Sequence, residues 1–283
     1  MAAKEKNPDA ILVALDGSAP SHTAASLATK IARKQHLPIR GLYVVDPTLL
    51  CDLSASRQTE GDRVAQAASQ AEQLARLKEQ GEQALAWLTS YCTASDVPVT
   101  TTIEYGSVSE ILLKETAQAT LLALGRRGHG HSADPQHLGD CFRKIAHHTR
   151  QPLLVGGEER RPLKRLLLAY NGRGDSWRSL TWAAHLERAF GAEVVVTAVQ
   201  EWTSSAAQWL EDARACLAEH DLSQYRFGQR SGRPATEIVA AAEESEADAI
   251  VMGGYHQTAV VEWLVGSTVD QVLRNTALPV FIA

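Results

Sequence analysis

The sequence is poor in the residues on which several protein classes depend. It has 4 cysteines among 283 residues and no CxxC pair, so neither a zinc motif nor a disulfide framework is indicated. No stretch approaches the roughly 18 consecutive apolar residues of a membrane span. The first ten residues, MAAKEKNPDA, hold no apolar core of signal-peptide length. These absences predict reduced thiols, no membrane partner and a cytoplasmic protein.

Basic residues are also too few for a nucleic-acid-binding protein. Lys and Arg number 28 against 33 Asp and Glu, which gives a formal net charge of −5. Non-specific nucleic-acid binding needs clustered basic side chains that replace counterions, so no nucleic-acid partner is expected. A local pocket can still bind a small anion. The length allows two domains, and a hydrophobic content of 45% is typical of a globular protein with a large core.

The sequence contains an internal repeat at about half its length. Residues 10–17 read AILVALDG and residues 165–172 read RLLLAYNG, and each is a short apolar run that ends in a turn. The same spacing of 155 positions that separates these runs also separates Val44 from Val199. The two halves therefore share a register, which indicates duplication of one unit.

The spacing between the repeats shrinks later in the chain. Pro279 lies 127 positions after Pro152, so the first half carries an extra segment between its second and third strands, at roughly Pro47–Ala71. That stretch is polar and rich in Ser, Gln and Ala. We expect a mobile loop there, leading into a long helix near Ala71–Tyr91.

Strands alternate with helices in both halves. This order predicts an α/β fold of two tandem doubly wound domains, each with a five-stranded parallel sheet flanked by helices. The expected domains are residues 1–157 and 162–283, separated by the linker-like sequence GGEERRP at 156–162. The last strands, QPLLV and LPVFIA, would be exposed edges, so we expect them to pair with each other or with another chain.

The turn after the fourth strand carries the most chemical information. In an open parallel sheet, ligands bind outside the carboxyl ends of the strands at the switch point. The second half reads GGYH at 253–256, then nine residues, then GST at 266–268, where a helix begins. Glycine lets a phosphate approach the backbone, and the amides of a helix start donate to it. No GxxxxGK[ST] motif is present, so this is not a P-loop NTPase.

These motifs resemble those of the universal stress protein family. The family has the strand-four motif G-x2-G-x9-G-[S/T] and an Asp at the end of strand one, and the similarity covers nearly the whole chain twice. The resemblance implies a fold of the adenine nucleotide alpha hydrolase type, ATP binding in many members and pairing of domains through the last strand. It also implies that the strand-one Asp and a strand-two Val hold adenosine, while the motif glycines and Ser/Thr hold the phosphates.

The first half departs from the family pattern at the phosphate end. Its candidate residues are Asp16, Val44, Gly125 and Gly128. Ten residues rather than nine separate Gly128 from Gly139, and Asp140 stands where Ser or Thr belongs. A carboxylate there would repel a triphosphate, so we interpret this site as degenerate. Three basic side chains could partly compensate, namely Arg126, Arg127 and His129.

The second half keeps the nine-residue spacing and is the preferred site. Its candidate residues are Asn171, Val199, Met252, Gly253, His256, Gly266, Ser267 and Thr268. Asn171 replaces the family Asp and can still hydrogen-bond a ribose hydroxyl or an adenine edge. His256 replaces the second motif glycine; its Cβ hinders phosphate approach, although its ring can donate to phosphate.

The leading hypothesis is a regulatory stress protein that binds ATP, with or without Mg²⁺, and acts on an unidentified protein partner. No lysine, metal cage or general base for phosphoryl transfer is evident, so any hydrolysis should be slow. A nucleotide-free dimerising scaffold is the alternative, supported by Asp140, Asn171 and His256. An ATP-dependent substrate-activating enzyme is disfavoured because neither DGSAPS nor NGRGDS is an SGGxDS-type loop.

Two further clusters suggest ordinary structural roles. The histidines between 129 and 148 match no standard metal-ligand spacing, so a solvated loop and helix face is preferred to a metal site. Five of the six tryptophans lie in the second half, and core or interface packing is the simplest explanation for them.

Overall fold

The computed structural model describes residues 10–47, 60–126, 138–158, 161–172, 176–200, 206–219, 225–254 and 268–283. Within them, strands and helices alternate along the chain. The strands are β1 (Ile11–Leu15), β2 (Ile39–Val45), β3 (Val99–Tyr105), β4 (Leu121–Leu124), β5 (Leu153–Val155), β6 (Arg165–Ala169), β7 (Glu193–Gln200), β8 (Tyr225–Ser231), β9 (Ala249–Met252) and β10 (Val280–Ile282). The helices are α1 (Ala19–Gln35), α2 (Glu60–Ala94), α3 (Val108–Thr116), α4 (Asp140–His148), α5 (Ser176–Phe190), α6 (Ala206–Glu219), α7 (Pro234–Glu244) and α8 (Thr268–Asn275).

The described strands form one sheet in the order β3-β2-β1-β4-β5-β10-β9-β6-β7-β8. Each half contributes five parallel strands in the doubly wound order 3-2-1-4-5, and the halves meet where β5 and β10 pair antiparallel. Parallel neighbours need a crossover, and the intervening helices supply it. The predicted fold class is therefore confirmed, and the predicted pairing of the last strands occurs between the two halves of this chain.

Successive side chains of each strand point to opposite faces of the sheet, and a layer of helices packs on each face. On β1, Ile11, Val13 and Leu15 join one hydrophobic cluster, while Leu12 joins the other. The first cluster lies under α1, α2, α5 and α6, and the second lies under α3, α4, α7 and α8. A strand buried on both faces has a nearly continuous apolar sequence, which explains the short apolar runs of the repeat.

The junction between the halves has a local two-fold centre at the β5–β10 pair. Leu154 lies opposite Phe281, and Phe281 is 127 positions further along the chain. The same spacing relates Arg143 on α4 to Asp270 on α8, and these equivalent residues form an ion pair with Nε 3.4 Å from Oδ2. The Asp270 side chain is only 4% exposed. Equivalent positions of the two repeats thus face each other with opposite charge.

Local capping signals fix the start of two helices. Ser18 is the N-cap of α1, and its hydroxyl accepts a hydrogen bond from the Ser21 amide at 3.2 Å. Pro234 occupies the first turn of α7, where its missing N–H costs no helical hydrogen bond.

The extra segment of the first half is more helical than its sequence suggested. Helix α2 begins at Glu60, about eleven residues before the start expected near Ala71. Ala, Gln and Glu have high helix propensity, so a polar composition alone did not distinguish loop from solvated helix. Residues 48–59, which complete the expected loop, lie outside the described residues. None of the described helices, α2 included, has an apolar stretch of transmembrane type.

Candidate functional site

The turns after β1 and β4 touch at the carboxyl edge of the first half. The strands are parallel neighbours, so their ends lie side by side. A Cβ placed on Gly125 would lie 3.2 Å from Oδ2 of Asp16 and 3.2 Å from Oγ of Ser18. The absence of a side chain at Gly125 therefore lets the two turns approach closely. This is the switch-point corner where the sequence analysis expects a ligand.

Asp16 is held by its own turn and lies near an aromatic hydroxyl. The Ser18 amide donates to Oδ1 of Asp16 at 2.8 Å, which orients the carboxylate. Burial, and then the negative charge of Asp16, raises the pKa of the Tyr43 phenol above its ordinary value. Tyr43 therefore stays protonated near this corner. Nothing in the repeat pattern pointed to it, because the equivalent position in the second half is Ala198.

The phosphate end of the first half is only partly described. Helix α4 begins at Asp140, and Gly139 is its N-cap. The next residue, Cys141, has its pKa raised to about 11, mainly by burial and secondarily by Asp46, against a lowering by Lys144. It is therefore a neutral thiol. Gly128, Arg127 and His129 lie outside the described residues.

Arg126 does not face an anion site, contrary to the expectation that it could offset Asp140. It is 2% exposed and donates from Nε to the Gly156 carbonyl at 3.2 Å. Its two terminal nitrogens donate to the carbonyls of Leu273, Thr276 and Leu278, at 3.1, 2.5 and 2.9 Å. The guanidinium is thus committed to the junction, where it satisfies the carbonyls at the end of α8.

The second half brings together the described members of its predicted site. Strands β6 and β9 are parallel neighbours with Ala169 opposite Met252, so the turns containing Asn171 and Gly253 emerge side by side. Val199 and Met252 are buried in the same hydrophobic cluster beneath this edge. Three predicted site residues lie outside the described residues: His256, Gly266 and Ser267.

Thr268 is the first residue of α8 and belongs to the same edge of the sheet. The helix connects β9 to β10, which run parallel, so it starts at their carboxyl ends. The first amides of a helix have no intrahelical partner, and Thr268 adds a hydroxyl. Asp270 places a carboxylate in the same turn, but this side chain is buried against Arg143. Arg143 therefore largely compensates the negative charge of Asp270, which would otherwise repel an anion at this helix start.

The sequence analysis assigned Trp209 only to packing, but its indole covers the turn after β6. A Cβ placed on Gly172 would lie 2.2 Å from Cδ1 of Trp209 on α6. At the equivalent Gly17 of the first half, none of the described residues comes within 4 Å of such a position. The two corners therefore differ in what lies over the first turn. The only signal in the sequence was the excess of tryptophan in the second half.

Metal ligands do not converge at either corner within the described part of the chain. No group of three or more His, Cys, Asp or Glu side chains there has the geometry to hold a metal ion. The histidines His129, His131 and His137 of the cluster considered above fall outside that part of the chain. Among the described residues, the second-half corner offers backbone amides, a hydroxyl group and the Asn171 amide, and the first-half corner adds the Asp16 carboxylate.

The strand order, with helices packed on both faces of the sheet, defines a doubly wound α/β protein built from two similar halves. The sequence model of the universal stress protein family matches residues 8–155 and again residues 162–283. The chain therefore belongs to the universal stress protein family, in its tandem form.

Individual relatives agree with this assignment. The chain is 26% identical over 164 residues to a universal stress protein of Synechocystis, in an alignment that covers 56% of each chain. It thus spans about half the length of the curated relatives it matches. A universal stress protein structure from Archaeoglobus fulgidus superposes with a TM-score of 0.74 at 20% identity, covering 98% of this chain and 96% of that one. A Pseudomonas aeruginosa structure gives 0.61 at 16% identity, covering 96% and 92%. At these identities the structures support the fold alone.

Proposed function

We propose that this protein binds an adenine nucleotide, ATP with or without Mg²⁺, at the carboxyl-edge corner of its second half. The observation that carries the proposal is the convergence of three elements at that edge. The turns after the neighbouring strands β6 and β9 emerge together, and α8 starts at Thr268 beside them. Helix starts and glycine-rich turns at a switch point are suited to phosphate and nucleoside binding.

Each proposed contact follows from the chemistry of the residue. Asn171 bonds a ribose hydroxyl or an adenine edge, and Val199 and Met252 form the apolar wall beneath. Gly253 leaves room for close approach, and Thr268 donates to a phosphate oxygen. By the family motif, His256, Gly266 and Ser267 complete the phosphate end. The first-half residues Asp16, Val44, Gly125 and Gly128 form a weaker second site.

Binding rather than fast catalysis is the proposed activity. No lysine or metal-ligand cluster meets the proposed phosphate end among the described residues. Phosphoryl transfer depends on charge stabilisation of this kind, so ATP turnover should be slow. We therefore propose a regulatory role in which the bound nucleotide changes how the protein meets an unidentified protein partner.

Calorimetry on two variants tests the site. Thr268→Asp places a carboxylate at the helix start, where it repels phosphate but favours the helix itself, so the variant should fold normally. We expect the affinity for ATP to fall about tenfold or more. Asp16→Ala changes the other half and should leave the affinity of the second-half site for ATP within about twofold of the wild-type value, since well-separated sites act independently.

Two outcomes would contradict this assignment. If Asp16→Ala loses ATP binding while Thr268→Asp keeps it, the site lies in the first half. Absence of ATP binding by the wild-type protein would favour the alternative, a nucleotide-free scaffold. The indole of Trp209 over Gly172 is the observation that supports that alternative. Native mass spectrometry, which detects nucleotide that survives purification and reports stoichiometry, separates the two.

A further inference from the structure

We propose that Trp209 is a specificity-determining residue of the second-half corner. Its indole occupies the place where the nucleoside end of a ligand has to approach the turn after β6. The ring therefore lowers the affinity for a nucleoside without touching the phosphate end. This inference rests on the proposed function and concerns the selectivity of the same site.

The geometry of Gly172 shows how closely the ring lies on the backbone. Gly172 has φ +68°, and a Cβ there would lie 2.2 Å from Cδ1 and 2.7 Å from both Cγ and Nε1 of Trp209. The ring thus rests directly on the turn and uses the space that a glycine leaves for a ligand. Trp209 is partly buried and packs against the hydrophobic cluster beneath α5 and α6.

The first half supplies an internal comparison. Gly17 has φ +80°, so its backbone conformation resembles that of Gly172, yet in the part of the chain that the structure describes nothing lies within 4 Å of its Cβ position. The left-handed conformation of the turn glycine therefore does not by itself bring a side chain over the turn. The difference between the corners therefore comes from the side chain that α6 contributes.

The residues next to the ring in sequence are well packed. Tyr170, two positions before Gly172, is 2% exposed. On α6 itself, Leu210 and Ala213 are buried in the core. A nucleoside that approaches the turn at Gly172 therefore has to displace the ring. The free-energy cost of that displacement reduces the apparent affinity.

Three probes separate the nucleoside end from the phosphate end. In Trp209→Leu, calorimetry should show adenosine and ATP binding about tenfold more tightly than in the wild type, while inorganic triphosphate binds equally to both. Trp182→Leu is the matched control, because Trp182 also packs partly buried against the same cluster but on α5. Its affinity for all three probes should equal that of the wild type.

The outcomes distinguish the inference from the function on which it rests. If the wild type binds ATP and Trp209→Leu binds it no more tightly, the inference is wrong and the proposed function stands. A weaker affinity in Trp209→Leu would also overturn it, since the ring would then be stacking on the base. If neither protein binds ATP or adenosine, the proposed function itself fails.

A second pair of variants tests the contact in the ligand-free protein. Gly172→Ala inserts a Cβ into the ring position, so the tryptophan emission should shift to longer wavelength as the indole moves into solvent. Gly17→Ala has the same left-handed backbone cost but meets none of the described side chains, and its emission should match that of the wild type. Equal emission from both variants would contradict the proposal.

Discussion

At the residue scale, Arg126 shows how burial decides the role of a side chain. Its position beside a glycine-rich turn suggested an anion ligand, but the chain buries it at the junction, where it donates to four carbonyls from both halves. A buried guanidinium needs such acceptors, because an unsatisfied charge in the interior is costly. The carbonyls at the end of α8 need a donor for the same reason.

We expect Arg126→Met to lower the free energy of unfolding by about 3 kcal/mol, since it leaves several buried carbonyls without a donor. Urea unfolding followed by circular dichroism measures this. Arg76→Met is the control: Arg76 pairs with Glu72 on the surface of α2, with 70% of its side chain exposed, and its loss should change stability by less than about 0.5 kcal/mol. An equal effect of the two substitutions would contradict the structural role of Arg126.

At the element scale, one carboxylate links three neighbouring strands. Glu193 on β7 accepts from Nε of Arg165 on β6 at 2.8 Å and also pairs with Arg226 on β8. Arg165 lies directly opposite Glu193 in the register of β6 and β7. The hydrogen bond from Arg226, and then that from Arg165, lowers the pKa of Glu193 below its ordinary value. The ion pairs thus help to fix the register of the outer strands of the second half.

A lowered carboxyl pKa makes stability depend on acidity. The stabilisation by Glu193 is complete above the unfolded-state pKa of about 4.3 and is lost as the pH falls through the lower folded-state value. Between about pH 5 and pH 3, the free energy of unfolding should therefore fall less steeply in Glu193→Gln than in the wild type. Thermal melts across this range measure it. Glu72→Gln, on an exposed pair, should follow the wild-type slope, and identical slopes for all three proteins would refute the expectation.

At the scale of the whole molecule, the chain joins two similar units through a junction that is not symmetric in charge. The backbone pairing of β5 and β10 is centred on Leu154 and Phe281, so equivalent residues meet near the centre. Two identical units would place like residues together there. Here Arg143 meets Asp270, which only a duplicated and diverged sequence can arrange. The pair favours association between the unlike halves over association between like halves.

A double-mutant cycle on Arg143→Met and Asp270→Asn tests this coupling. We expect an interaction free energy of about 1–2 kcal/mol, because Asp270 is buried and Arg143 is partly shielded. Arg143→Asp alone should destabilise the protein more than Arg143→Met, since two carboxylates would then meet. The exchange Arg143→Asp with Asp270→Arg should recover part of the loss. Additive effects of the two single substitutions in urea unfolding would rule out the coupling.

Much of the fold could be predicted because duplication repeats its signals. The apolar runs at β1 and β6 have the same length, and both end in turns, so buried parallel strands were the simplest interpretation. The boundaries were less certain where composition is ambiguous, as at the start of α2. Of the candidate site, the sequence supplied the turns and the motif, because these depend on local spacing. It did not supply Tyr43 or Trp209, which reach the corners from other elements.

The sequence by itself determined the α/β class, the duplication and the edge at which ligands are expected, because periodicity, glycine and spacing act locally along the chain. Tertiary structure alone decided that β5 and β10 pair within this chain rather than with another chain, that Arg126 donates to carbonyls at the junction and that Trp209 covers Gly172. Those contacts join residues tens to more than a hundred positions apart. They depend on which faces pack together, and no local pattern encodes that.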